Sequence, residues 1–373
     1  MRRMTRLCPL AAPGMCPDLG CGILRFLRYS VLLLVVLISV TLYYGPSFQC
    51  LSRQLEPTLS SLRPVLILVW LWPFNKTFEL DLCKPRFNID GCILTADREL
   101  YRNADAVLVH HRDIAWDLSN LPQSPRPAQQ KWIWMNSESP SNSLRIPGLN
   151  SLFNASLSYR RDADITVPYG SLVPLAQVQD APATPEKSKL VCWIVSNYKP
   201  EHMRAHYYRE LQKHVPIHVY GDFFNRHVSE QEYREIVSGC KFYLSFENSE
   251  HEDYITEKLF NALELGTVPV VQGPSRQNYE RVVPGDTFIH VQDFPSMAGL
   301  ARHLLLLNEN HALYHCYFRW RRQFQVKISS FPIENACHSC DYIRRNRKYQ
   351  VLTDLYQWYW EMSERGDLVS FLY

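Results

Sequence analysis

Residues 241–258, KFYLSFENSEHEDYITEK, constrain the fold more than any other stretch of the chain. The first six are mostly aromatic or apolar, without Gly or Pro, and read as a buried strand. The strand stops at Glu247 and Asn248, crosses a polar loop, and gives way to a helix over 256–265. Thr256 is placed as its N-cap, with Glu257 in the first turn. A strand that runs through a polar loop into a capped helix is the repeating unit of parallel α/β sheets. The helix start offers unpaired N–H groups and partial positive charge to an anion, and Lys258 adds a full charge beside it. An ordinary β-loop-α unit with a solvated acidic loop would look much the same.

The pattern recurs along the chain. Apolar strands are predicted at 65–70, 106–110 and 131–136, then at 190–196, 217–220, 268–271 and 287–291. Between the fourth and fifth of these, EHMRAHYYRELQK at 201–213 spaces Met203, Tyr207, Tyr208 and Leu211 as one face of a helix. Strands alternating with helices argue for two parallel-sheet α/β domains, joined by a Pro- and Ala-rich linker at 171–189. The pattern alone is also compatible with one large sheet.

Residues 29–44, YSVLLLVVLISVTLYY, carry no charge and suit a single span of a thin bilayer. Five arginines against one aspartate precede it, and no Lys or Arg follows until Arg53. Positive-inside orientation therefore puts 1–28 in the cytosol and the bulk of the chain in a lumen. With that segment's +4 set aside, the whole-chain +3 becomes −1, so no basic field favours nucleic acid. Of 11 cysteines, Cys8, Cys16 and Cys21 lie upstream of the span. The eight beyond it suggest disulfides in an oxidising compartment. Cys337-His-Ser-Cys340 on its own could equally be half a metal or redox motif. The sequons at Asn75 and Asn154 fit luminal exposure.

FENSEHEDYITEKLFNAL at 246–263 closely resembles the signature of the α1,3-fucosyltransferase family, nearest to its members that form Lewis x. WPF at 72–74, ADAVLVHHRD at 104–113, KWIWMNSESP at 131–140 and SYRRDADITVPYG at 158–170 resemble it in the same order. VCWIVSN at 191–197 and VPVVQGPSRQNYE at 268–280 extend the likeness. The resemblance implies a GT-B fold, two Rossmann-like domains facing a cleft. A transmembrane anchor and a stem at 45–63 would precede residues 64–170, which take the acceptor. Residues 190–330 would take GDP-fucose, and 331–373 would return to the first domain as helices. It further implies a Golgi type II membrane protein with disulfides Cys83–Cys337, Cys92–Cys340 and Cys192–Cys240, which leaves Cys50 and Cys316 over.

Glycosyl transfer with inversion needs a base for the attacking hydroxyl, a pocket for the donor sugar and positive charge for the departing diphosphate. Glu138, just past a strand end, is the expected base; a solvent-facing loop glutamate is the plain alternative. His110 and His111 end another strand and rival it. The resemblance assigns these histidines, Arg112, Lys76 and Glu138 to the acceptor, and Arg112 accompanies preference for Galβ1,4GlcNAc. Asn75-Lys76 departs there from the Gly-Gln of the nearest members. For the donor it implies Tyr169, Trp193, Ser196, Asn197, Arg204, Val228, Tyr243, Asn248, Tyr254, Glu257 and Lys258. Arg204 and Lys258 are the expected partners of the diphosphate, Arg204 through its two-pronged guanidinium.

Asp162-Ala-Asp164 imitates a metal motif but falls far from the donor region, so no essential metal is expected. The expected partners are GDP-fucose and lactosamine-bearing glycoproteins or glycolipids; the oligomeric state stays open. The expected activity is α1,3-fucosylation of type-2 lactosamine. The competing reading is a membrane-anchored glycan-binding module on an inactive transferase fold. A dinucleotide oxidoreductase lacks G-x-G-x-x-G after an early strand.

Overall fold

A computed structural model describes residues 63–361 together with Leu34. The expected cytoplasmic tail, the expected anchor apart from Leu34 and most of the expected stem lie outside the described residues, and among those described no helix is long and apolar enough to cross a membrane.

The run VLILVWL forms β1 (Val65–Leu71), apolar on both faces as the middle of a parallel sheet demands. After the short helix α1 (Cys83–Phe87) come β2 (Cys92–Thr95), β3 (Ala106–His110), β4 (Lys131–Asn136), β5 (Ala155–Ser158) and β6 (Ile165–Thr166). These strands make one six-stranded sheet, ordered β2-β1-β3-β4-β5-β6, with every pair parallel. Next comes β7 (Gly170–Pro174), which occupies the start of the expected linker.

The second half contains β8 (Lys189–Ile194), α2 (Met203–Leu211), β9 (Ile217–Tyr220), α3 (Glu230–Ser238), β10 (Cys240–Phe246), α4 (Glu257–Glu264) and β11 (Val268–Gln272). It continues through α5 (Arg276–Glu280), β12 (Ile289–His290), α6 (Met297–Glu309) and α7 (His311–Cys316). Its five strands are also all parallel, ordered β12-β11-β10-β8-β9. The chain thus forms two parallel sheets, not one.

Strand β13 (Phe324–Ile328) pairs antiparallel with β7, and this ribbon packs on α4. Gly170 permits the contact, because a Cβ there would lie 2.5 Å from the Phe260 ring. Helix α8 (Ile333–Arg345) then buries Ile333, Ala336, Cys337, Cys340 and Ile343 against β1 and β3 of the first sheet. Disulfides Cys83–Cys337 and Cys92–Cys340 fix it there, and Cys192–Cys240 joins β8 to β10. Cys316 is disulfide-bonded as well, so it is not left over.

The sequon at Asn75 is exposed, whereas that at Asn154 is fully buried. The Asn154 oxygen accepts from the Trp132 backbone at 2.7 Å and from Arg126 at 3.0 Å, and its nitrogen donates to the Gln350 carbonyl at 2.6 Å. A glycan on that nitrogen would have to displace Gln350, so the expected exposure holds for Asn75 alone.

Candidate active site

Each sheet reverses its winding once, between β1 and β3 in the first and between β8 and β10 in the second. Parallel sheets bind ligands at the carboxyl ends of the strands flanking such a reversal. In the first sheet those ends lead to Phe74 and His110; Glu138 follows the adjacent β4. In the second they lead to Ser196, Asn197, Glu247 and Asn248.

The two edges meet. The Ser249 hydroxyl donates to Ser139 Oγ at 2.6 Å, and Ser141 Oγ lies 2.6 Å from His251 Nε2. Arg161 pairs with Asp253 at 3.0 Å. At the centre of this seam the Tyr254 phenol donates to Glu138 Oε2 at 3.3 Å.

Glu138 is held on several sides. Its N–H donates to Asn136 Oδ1 at 3.1 Å, and its carbonyl accepts from the Tyr359 hydroxyl. Tyr169 donates to the carbonyl of the preceding Ser137. The rings of Tyr159, Tyr169 and Tyr254 pack edge-on or tilted, 5.1–6.3 Å apart. Burial raises the Tyr254 and Tyr169 phenols well above the ordinary tyrosine range, with Glu138 and Glu247 among the charges adding to it. Both stay neutral donors.

On the second sheet's side, Lys258 Nζ lies 3.1 Å from Glu247 Oε2, 3.2 Å from Glu257 Oε1 and 2.8 Å from Thr256 Oγ1. Burial works against its charge, but the two carboxylates outweigh it and raise its pKa above the ordinary lysine value. Thr256 stands at the N-cap of α4, but its hydroxyl does not cap the helix; it donates to Glu247 Oε2 at 2.9 Å. Arg204 belongs to the inner face of α2 with Ala205, Tyr208 and Leu211, while Met203, expected in that stripe, is exposed. Its guanidinium is 5 % exposed, donates to the Asn197 carbonyl, and leaves Nε without a partner. Burial lowers its pKa, with Glu247 and then Tyr254 supporting the charge. Arg204 and Lys258 therefore share Glu247 as a neighbouring charge.

Other expected residues lie around these, His110 among them buried at 2 % exposed. Asn248 is half-buried and accepts from Ser249 at 3.0 Å. Ser196 is exposed and bonds Asp222, and Val228 stands in the loop between β9 and α3. His110 bonds Asp113 through Nδ1, and its ring lies 5.1 Å from Phe74 and 6.0 Å from Phe331. Arg112 is exposed over the Phe74 ring at 5.4 Å; Lys76 is exposed after Phe74 and Asn75, both at φ 54°.

Three further expected residues have side chains that pack in the core. His111 turns inward, accepting from Trp134 Nε1 at 3.1 Å and packing on Trp360; burial and then His110 lower its pKa to about 4. Trp193 is 1 % exposed and packs on Tyr208 in the core. Tyr243 is 2 % exposed, mid-strand and edge-on to Tyr233. Their side chains pack against the strands and helices beneath the edge. Asp162 pairs with Arg160, and Asp164 accepts from the Ser156 backbone and hydroxyl, each within the first half.

Glu247, Thr256 and Tyr359 were missed by sequence reasoning. A charged residue ending a buried strand was a usable signal for Glu247; nothing local marks Tyr359, 221 residues from its partner Glu138.

Residues 184–358 match the family model described as glycosyltransferase family 10 (fucosyltransferase) C-term, and 62–170 match the fucosyltransferase N-terminal model. The chain is 48 % identical over 356 residues to the Cricetulus griseus protein named 4-galactosyl-N-acetylglucosaminide 3-alpha-L-fucosyltransferase 9, covering 91 % of this chain and 98 % of that one. The Homo sapiens protein of that name is 47 % identical over the same coverage. A crystal structure of an alpha1,3-fucosyltransferase with GDP-fucose matches the fold, with TM-score 0.52 at 16 % identity, over 79 % of this chain and 93 % of that one.

Proposed function

The chain belongs to glycosyltransferase family 10, the fucosyltransferases, and from that premise we propose that it moves L-fucose from GDP-β-L-fucose onto the 3-hydroxyl of GlcNAc in Galβ1,4GlcNAc glycans. The product is an α1,3-fucosylated, Lewis x-type structure. Relatives at 47–48 % identity that bear the 3-alpha-L-fucosyltransferase name support the reaction and the acceptor type.

The observation that carries the mechanism is the meeting of a carboxylate from the first half with a cationic edge from the second, joined through Tyr254 and Glu138. Glu138 is the base that takes the acceptor proton. The deprotonating acceptor oxygen bonds to the anomeric carbon of fucose on the face opposite the diphosphate, the bond from that carbon to the diphosphate oxygen breaks with its electron pair leaving on GDP, and the β linkage becomes α. Arg204 and Lys258 neutralise the charge that develops on GDP. The unpartnered Arg204 Nε supports that role, since a buried donor without an acceptor is costly unless a ligand supplies one. Asn248, Ser196, Asn197 and Val228 stand at the donor rim, with Glu257 toward the fucose hydroxyls. The Phe74, His110 and Arg112 group receives the galactose side of the acceptor, with Lys76 at its edge. Because Glu138, Arg204 and Lys258 are all retained, the glycan-binding alternative is set aside.

This reading uses residues 64–170 for the acceptor and 190–330 for the donor in a GT-B arrangement. A single anchor at 29–44 keeps both in the Golgi lumen, where lactosamine-bearing glycoproteins or glycolipids pass.

Glu138→Gln tests the assignment. The variant is expected to fold and bind GDP while transfer falls by about 10²- to 10⁴-fold. Near-normal turnover on a type-2 acceptor would remove Glu138 as the base.

A further inference from the structure

We infer that Glu247 is a positioning residue for the donor: a resident counter-ion that aims Lys258 and limits how tightly the site holds the released nucleoside diphosphate. The inference rests on the donor reading above. Glu247 is 1 % exposed at the carboxyl end of β10. Its Oε1 accepts the Thr256 N–H at 2.8 Å, and its Oε2 accepts from Thr256 Oγ1 at 2.9 Å and faces Lys258 Nζ at 3.1 Å.

The carboxylate is fixed where it stands. Two bonds to Thr256 prevent withdrawal, and the pocket behind it is fitted: a Cβ at Gly273 would lie 3.0 Å from Glu247 Cγ and 2.8 Å from the Tyr279 hydroxyl. Burying a carboxylate this deeply is costly unless cations and donors surround it. Lys258 supplies the adjacent cation and Thr256 the donors, although burial still raises the Glu247 carboxyl above its ordinary value; Arg204 keeps an unpartnered Nε nearby.

Two consequences follow from one fixed negative charge. Lys258 is held at the strand edge instead of extending into solvent, so the cation is in place before the donor arrives. A diphosphate that engages the same lysine must approach Glu247, and the repulsion weakens the bound state of GDP. A carboxylate that only tied the helix start would have the opposite signature, since its loss would loosen the edge and weaken binding.

Titrating wild type and Glu247→Gln with GDP by calorimetry, alongside kcat and KM for GDP-fucose and the thermal midpoint, separates these. The amide is expected to bind GDP on the order of tenfold tighter, with a lower KM and a lower kcat. Unchanged or weaker GDP binding by the folded variant overturns the counter-ion role. If Glu247→Gln does not fold, Glu247→Asp, with its charge one methylene farther back, is judged the same way: a smaller tightening supports the role, and weaker binding overturns it. Wild type that fails to bind GDP at all would overturn the donor reading itself and this inference with it.

Discussion

The Tyr254 phenol lies 3.3 Å from Glu138 Oε2 and donates to it, across 116 residues of sequence and from one parallel sheet's edge to the other's. A neutral phenol that donates to a carboxylate fixes its direction. The same phenol contributes to the electrostatic surroundings of Arg204. Tyr254 thus joins the proposed base to the proposed phosphate-binding edge through one side chain.

Tyr254→Phe isolates that bond. The ring keeps its packing on Tyr159 and Tyr169, 5.1 and 6.2 Å away, so the fold should survive with little change in thermal midpoint. A hydrogen bond to a charged group contributes about 1.5–3 kcal/mol, which corresponds to a loss of roughly 10- to 100-fold in kcat/KM. Steady-state rates with GDP-fucose and a type-2 acceptor would show it. A rate within twofold of wild type would mean that the bond gives way when substrates bind.

Asn154→Asp should destabilise the unglycosylated protein. The side chain joins the β4–β5 region to Gln350 through one donated and two accepted bonds. The substitution leaves the Gln350 carbonyl facing a carboxylate oxygen, at a cost of about 1–3 kcal/mol for the unmet group. Urea unfolding of protein from a host that does not glycosylate checks this. Equal stability there would show that the Gln350 contact contributes nothing.

Strands were legible where they were long and apolar on both faces. VLILVWL and KFYLSF read as buried strands, β3, β4, β8 and β11 follow from the same signal, and β9, a four-residue edge strand with an exposed His218, follows from a weaker one. The exceptions are short or polar: β5 is Ala-Ser-Leu-Ser, and β6 has two residues. The ribbon of β7 and β13 depends on pairing across some 150 residues, which no local period encodes. At the site, chain position located the strand-end loops well. Side-chain direction was harder, because Trp193 and His111 sit beside ligand-facing positions yet turn into the core.

Two buried histidines give the protein a pH dependence whose sign can be fixed in advance. His251 is held at about 4 by burial and then Arg160, and His111 at about 4 by burial and then His110, against an ordinary value of 6.5. Both folded-state values lie below the unfolded one, so between about 4 and 6.5 the unfolded chain binds more protons. Stability is therefore complete above pH 6.5 and declines as the pH falls toward 4, by up to about 1.4 kcal/mol per pH unit for each histidine. His251 also sits in the seam, where its Nε2 accepts the Ser141 N–H at 3.4 Å and contacts Ser141 Oγ. Its protonation would remove that acceptor beside Glu138, so activity should fall along with stability. Thermal midpoints of wild type from pH 7.5 to 4.5 should slope downward with acid. His251→Gln, which keeps an acceptor for Ser141 and removes one titrating group, should roughly halve the part of that slope due to the two histidines. A wild-type midpoint that stays level to pH 5 would mean that these rings are protonated in the folded protein.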